Sequence, residues 1–171
     1  MGRLKIDLVN CTGCRMCEIW CSVIHEHAVN PKKSRIRVVL NGLPEQPVPV
    51  VCQQCKNASC ADACPLKAIS YHEKSGAWVV DEKRCNGCGL CVEACPFGAI
   101  TLHPERNVAI KCDLCGGNPQ CVAYCQRNFL TYSPGGERVK ELNELAEQKR
   151  EAFAAKKLGR MLASWGIQSE D

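Results

Sequence analysis

Apolar and polar positions change their period several times along this chain. Leu4, Ile6 and Leu8 alternate with Lys5, Asp7 and Val9, which predicts a short strand within residues 1–10. The stretch after Cys17 reads as a helix that stops at Asn30-Pro31, because proline pushes the residue before it out of the α region. Ser34 to Leu40 is rich in β-branched residues and ends in the turn signal Asn41-Gly42, so a strand is expected there. Pro44, Pro47 and Pro49 then predict an irregular connection over residues 43–51, with at most an extended edge segment.

The middle of the chain repeats itself. Ala63-Cys64-Pro65-Leu66-Lys67-Ala68-Ile69-Ser70-Tyr71-His72 aligns without a gap with Ala94-Cys95-Pro96-Phe97-Gly98-Ala99-Ile100-Thr101-Leu102-His103. Each copy is followed by a turn and a returning strand, Ala77 to Val80 in the first and Val108 to Lys111 in the second. Residues 52–111 therefore read as one pseudo-symmetric module of two hairpin-and-helix units. Beyond Pro134-Gly135-Gly136 the composition shifts to Glu, Lys, Ala and Leu, and a helical arm is expected over residues 134–171. Its apolar stripe is in two pieces, Val139, Leu142 and Leu145, then Leu158, Met161, Leu162 and Trp165. Such a stripe fits a helix folded back on its own body, or one that packs first on its own domain and then on a neighbour.

Chemistry enters with the cysteines. The stretch Cys85-Asn86-Gly87-Cys88-Gly89-Leu90-Cys91-Val92-Glu93-Ala94-Cys95-Pro96 has the spacing C-x2-C-x2-C-x3-C-P, by which cubane iron–sulfur clusters are held, the fourth cysteine serving a different cluster from the first three. Cys52, Cys55, Cys60 and Cys64-Pro65 repeat it with the second gap widened to four residues. Cys11, Cys14, Cys17 and Cys21 keep the spacing but have Ser22 in place of proline, and Cys112, Cys115, Cys121 and Cys125 widen the second gap to five and end in Gln126. These four runs use all 16 cysteines, enough for four [4Fe-4S] clusters at four ligands each. Under the exchange rule the inner ligand sets are Cys52, Cys55 and Cys60 with Cys95, and Cys85, Cys88 and Cys91 with Cys64. By analogy the outer sets are Cys11, Cys14 and Cys17 with Cys125, and Cys112, Cys115 and Cys121 with Cys21.

Gly13, Gly87 and Gly116-Gly117 fall inside the ligand loops, where small residues either turn backbone N–H groups toward sulfur or simply make turns. His25 and His27 read as surface or packing residues rather than ligands, since cysteine already supplies every cluster.

Composition narrows the alternatives. Aromatic residues are only 5% of the 171, so the ordinary hydrophobic core is thin. A disulfide scaffold would require an oxidising compartment, whereas the first ten residues have no apolar signal core and no later run is long enough to span a membrane, so the expectation is a cytoplasmic protein. Zinc suits paired C-x2-C units but gives no reason for the C-x3-C-P endings. The formal charge of +4 falls to about −4 once four clusters of about −2 each are added, which removes the case for nucleic-acid binding.

The order of the four runs and the embedded repeat resemble the four-cluster iron–sulfur subunits of the dimethyl sulfoxide reductase type. The opening Cys11-Thr12-Gly13-Cys14-Arg15-Met16-Cys17-Glu18-Ile19-Trp20-Cys21-Ser22, with Asn30-Pro31 and Ser34 to Val38, is similar to small subunits that accompany tungsten aldehyde oxidoreductases. The resemblance implies an α+β fold of two interleaved bacterial-type 2[4Fe-4S] ferredoxin modules, with the inner module 52–111 inserted between outer halves 1–51 and 112–133, followed by the C-terminal extension. It implies a non-catalytic electron-transfer subunit working with a tungsten or molybdenum pterin enzyme and a soluble acceptor or flavin-containing subunit. The alternatives are service to a hydrogenase or formate dehydrogenase, or a non-conducting cluster- or zinc-bearing scaffold.

If metal sites stand in for a large core, their binding free energy is folding free energy. The iron-free protein is therefore expected to lack a cooperative thermal transition by circular dichroism, and a native-like transition in the apoprotein would contradict this.

Overall fold

The computed structural model describes residues 2–8, 10–42 and 46–133. The arm expected over residues 134–171 lies outside the described residues. Within them the chain forms a small α+β fold of eight short strands and four helices: β1 (Arg3–Ile6), α1 (Met16–Glu26), β2 (Ile36–Asn41), β3 (Gln46–Val51), α2 (Ser59–Asp62), β4 (Ile69–His72), β5 (Ala77–Val80), α3 (Leu90–Ala94), β6 (Ile100–Leu102), β7 (Ala109–Lys111), α4 (Gln120–Ala123) and β8 (Leu130–Ser133). The strands pair as four separate antiparallel ribbons, β1–β8, β2–β3, β4–β5 and β6–β7.

The two repeat copies become the hairpins β4–β5 and β6–β7 in the same register, Ile69 facing Val80 in one and Ile100 facing Lys111 in the other. Around them the first and last described strands close on each other, with Leu4 opposite Tyr132 and Ile6 opposite Leu130. The helices beside this outer ribbon also meet, as the Trp20 ring of α1 stacks on Tyr124 just after α4, with centroids 3.6 Å apart at 7°. Trp20 and Tyr124 directly precede Cys21 and Cys125, so the stack brings the ends of the first and last runs onto one core.

Two local expectations change. Residues 46–51 are a full strand rather than an irregular connection, paired with β2 from Ile36↔Val51 to Asn41↔Gln46. Prolines are tolerated because Pro47 and Pro49 are two residues apart, so both missing N–H groups fall on one side of a ribbon that has no third strand. The helix α1 ends at Glu26, before Asn30, with His27 in the left-handed region (φ 52°) donating its N–H to the Val23 carbonyl. Pro31 instead opens a 3-10 turn over Pro31–Lys33 capped by the Asn30 side chain.

Ser22 explains why the first run differs from the others. It lies inside α1, fully buried, donates to the Ile19 carbonyl at 2.8 Å and accepts the Asn30 N–H at 3.1 Å. A proline there would break the helix. After Cys64, Cys95 and Cys125 the chain turns instead, with Lys67, Gly98 and Asn128 at positive φ donating to the carbonyls of those cysteines at 3.1, 3.2 and 3.0 Å. Gln126 thus supports the same turn as Pro65 and Pro96.

All four C-x2-C loops share one backbone feature, a positive φ just before the second cysteine: Gly13 (70°), Gln54 (47°), Gly87 (72°) and Leu114 (59°). For a non-glycine residue this conformation costs about 1–2 kcal/mol. The fully buried Gln54 offsets it with two hydrogen bonds, accepting the Trp78 N–H and donating to the Cys112 carbonyl, both at 2.9 Å. Leu114 offsets it by complete burial in the core with Leu4, Ile36 and Leu130. At Gly87 no side chain fits at all, because a Cβ would strike the Asn107 carbonyl.

Gly89 provides the contrast, since its φ is also positive (83°) but the space around it is open. Gly89→Ala should cost about 1 kcal/mol from backbone strain, and Gly87→Ala about 3 kcal/mol or more once steric overlap is added. Thermal unfolding of the two loaded variants measures the difference, and equal losses would show that the Asn107 contact carries no weight.

Candidate metal centres

Sulfur converges in three clefts. One is lined by Cys64, Cys85, Cys88 and Cys91, with Leu66, Ile69, Leu102 and Ala109. A second is lined by Cys52, Cys55, Cys60 and Cys95, with Trp78, Phe97 and Lys111. The third is lined by Cys21, Cys112, Cys115 and Cys121, with His25, Arg35 and Asp113. Their empty volumes are similar, about 350, 390 and 290 Å³. Each cleft takes three cysteines from one run and the last cysteine of another. Cys11 and Cys14 lie near Cys17, whose thiol responds to both, and Cys125 packs against the same core as Cys17.

Strand β7 ties the three clefts together. Ala109 lines the first, Lys111 the second, and the next residue, Cys112, the third. At about 3.3 Å per residue that walk covers only about 10 Å. Cys17 and Cys121 in turn act on each other's side of the core, because the Cys121 thiol responds to Cys17 as well as to Cys21 and Cys115.

The donor sets fit iron–sulfur clusters. The first two clefts are lined by cysteine but by no histidine, aspartate or glutamate, which suits a soft metal. Backbone N–H groups aim at the sulfurs: Arg35 N–H at Cys21 (3.2 Å), Gln54 at Cys52 (3.5 Å), Ala68 at Cys64 (3.3 Å), Ala99 at Cys95 (3.4 Å) and Ala109 at Cys85 (3.3 Å). Such donors favour thiolate over thiol. Burial works the other way, pushing the Cys17 thiol up to about 12, with Glu18 adding to it, and Cys60 up to about 11 against the pull of Lys111. Burial likewise raises Cys55, Cys91, Cys112 and Cys121. Thiols that burial holds neutral, grouped with others that accept backbone N–H groups, suit a metal that supplies the missing positive charge.

The third cleft adds something the spacing of cysteines did not reveal. His25 Nε2 lies 3.1 Å from Asp113 Oδ1, and Arg35 donates to Asp113 Oδ2 at 2.7 Å. Burial would lower the His25 pKa, but hydrogen bonds with Asp113, Cys115 and Cys21 overcome it and raise it to about 12. Asp113 is held well below the usual carboxylate range, as His25 and Arg35 outweigh its burial. Cys21 also ends up lowered, burial notwithstanding, through His25 and the Arg35 N–H. His25, Asp113 and Cys115 have ligand atoms within 4.8 Å of one another, but Asp113 is already engaged by an imidazole and a guanidinium, which suits a charge network around sulfur better than a separate cation site. The sequence reading of His25 as an ordinary packing residue missed this role, for which only its i+4 spacing from Cys21 was a signal. His27 is exposed and caps α1 through its backbone alone.

No helix among the described residues is long and apolar enough to cross a membrane. Among curated proteins, the polyferredoxin-like subunit of an aliphatic sulfonate oxidoreductase from Pyrococcus furiosus is 47% identical over 115 residues, 67% of this chain and 66% of that protein. The thiosulfate reductase electron transfer subunit PhsB of Salmonella typhi is 37% identical over 142 residues, 74% of this chain and 72% of that one. A chain of the active site complex BamBC of benzoyl coenzyme A reductase is similar at 27% identity and a TM-score of 0.49, over 95% of this chain and 97% of its own. Residues 45–133 match the 4Fe-4S dicluster domain. With sulfur convergent at sites fitted to such clusters, this chain belongs to the family of ferredoxin-like iron–sulfur proteins built on that domain.

Proposed function

We propose that this chain is the electron-transfer subunit of an oxidoreductase complex and holds four [4Fe-4S] clusters. It is a non-catalytic redox subunit. The observation that carries the proposal is the convergence of four cysteines, and no more, at each of three clefts along one strand. The ligand sets are Cys64, Cys85, Cys88, Cys91; Cys52, Cys55, Cys60, Cys95; Cys21, Cys112, Cys115, Cys121; and Cys11, Cys14, Cys17, Cys125. When bound, each cluster supplies a one-electron centre whose potential follows the charges and hydrogen bonds around it, and a row of them would relay electrons between a catalytic subunit and an acceptor.

The protein's own part is to hold, space and insulate. Short loops with positive φ hold the first two cysteines of each run, the backbone N–H groups steady the thiolates, and mostly apolar side chains line the first cleft. The architecture proposed is two interleaved ferredoxin modules, 52–111 within 1–51 and 112–133. It is supported by the two hairpins of the repeat and by the pairing of β1 with β8 around them.

The catalytic partner proposed is a tungsten or molybdenum pterin oxidoreductase of the aldehyde-oxidising kind, with a soluble or flavin-containing acceptor, supported by the similarity of residues 11–38 to such small subunits. A second reading is a partner acting on sulfonates or sulfur oxyanions, favoured by the 47% and 37% identical relatives named for such systems. Residues 134–171 are proposed to dock a partner or a second copy, so truncation after Ser133 should dissociate the complex while iron content is retained. An unchanged complex size would count against that role.

Elemental analysis of the complex, isolated without oxygen from its native host, is expected to give about 16 iron per chain. Tungsten or molybdenum eluting with it would support the pterin partner, whereas zinc in place of iron would overturn the reading. Cys55→Ser should selectively perturb one cluster's electron paramagnetic resonance signal, leaving the others in place.

A further inference from the structure

We propose that Lys111 is a fixed cation that sets the site of Cys52, Cys55, Cys60 and Cys95 at a higher reduction potential than its pseudo-symmetric sister, the site of Cys64, Cys85, Cys88 and Cys91. This rests on the reading of those cysteines as cluster ligands.

Lys111 is an unusual residue for its place. It is only 3% exposed, and lysine is almost never so buried without a charged partner. Among the described residues it forms no ion pair. Its ammonium instead donates to two backbone carbonyls, Trp78 at 2.5 Å and Cys112 at 3.3 Å, and lines the second cleft directly. The two carbonyls accept two of its three hydrogens and leave its net charge uncompensated. The side chain that carries that charge lines the same cleft as Cys52, Cys55, Cys60 and Cys95.

The repeat supplies an internal control. Lys111 faces Ile100 across its hairpin just as Val80 faces Ile69, so the two residues occupy equivalent positions in the two copies. The exchange of fourth cysteines places Lys111 and Cys95 of the second copy in one cleft and Cys64 of the first in the other, while Val80 packs on the apolar cluster that includes Cys91 and contributes no charge. A duplicated scaffold thus carries a cation on one side and an aliphatic group on the other. Reduction adds one negative charge to a site, and a desolvated cation nearby favours that more negative state. The asymmetry therefore makes the Lys111 site the preferred resting place for an electron within the inner pair. Lys111 is a positioning residue for charge, as it is not itself a ligand.

The test is a redox titration of the intact, cluster-loaded protein followed by electron paramagnetic resonance, with iron counted on the same samples. Lys111→Gln removes the charge but retains N–H donors for the two carbonyls, and Lys111→Arg retains the charge. In Lys111→Gln one potential is expected to fall so that the reduced-to-oxidised ratio of that site drops about tenfold at fixed potential, about 59 mV for a one-electron couple. The other potentials should hold, and Lys111→Arg should restore the wild-type value. If Lys111→Gln loses iron, Lys111→Met is measured in its place against the same expectation, and loss of iron in both variants but not in Lys111→Arg supports a need for the charge at that site. Full iron with unmoved potentials overturns the inference alone. A wild-type chain without iron overturns the cluster assignment, and this inference with it.

Discussion

Each of the three described clefts is closed by a cysteine that arrives from a different run, and the rest of the structure depends on that interlock. A run cannot complete its own cleft, so Cys64 must be carried to Cys85, Cys95 to Cys60, and Cys21 to Cys112. The short hairpins and the β1–β8 ribbon are the means of carriage. None of these two-stranded ribbons is long enough to be stable alone in water, and each is held by what it delivers.

Backbone conformation is subordinated to the same demand. A left-handed residue precedes the second cysteine in every run, and the chain meets that requirement in different ways. Glycine at 13 and 87 has no Cβ to strain. Gln54 and Leu114 accept the strain because their buried side chains brace the core, Gln54 by spanning from Trp78 to Cys112. Helix α1 departs from the common pattern for a related reason: Ser22, in place of proline, lets the helix continue so that His25 can reach Asp113.

Electrostatics then distinguish clefts that sulfur alone would leave alike. The third is surrounded by the His25–Asp113–Arg35 network, the second faces Lys111, and the first has neither, being walled by leucine, isoleucine and alanine. Buried charge in a low-dielectric setting acts strongly on its surroundings, so these differences matter more than the shared four-cysteine pattern suggests.

By itself, the sequence determined the grouping of cysteines into four runs, the two repeat hairpins and the short first strand. These are legible because ligand spacing is local and because Ile69 and Ile100 sit in copies that align without a gap. It did not reveal that residues 46–51 form a strand, since proline in a two-stranded ribbon is harmless on the side that faces no partner. Only the tertiary structure decided that β1 meets β8, that Trp20 stacks on Tyr124, and that a histidine and a lysine of ordinary appearance face sulfur. Those outcomes depend on contacts between residues as much as 130 positions apart, as Arg3 is from Ser133, and on burial that removes water from a charge, neither of which is written in any local pattern.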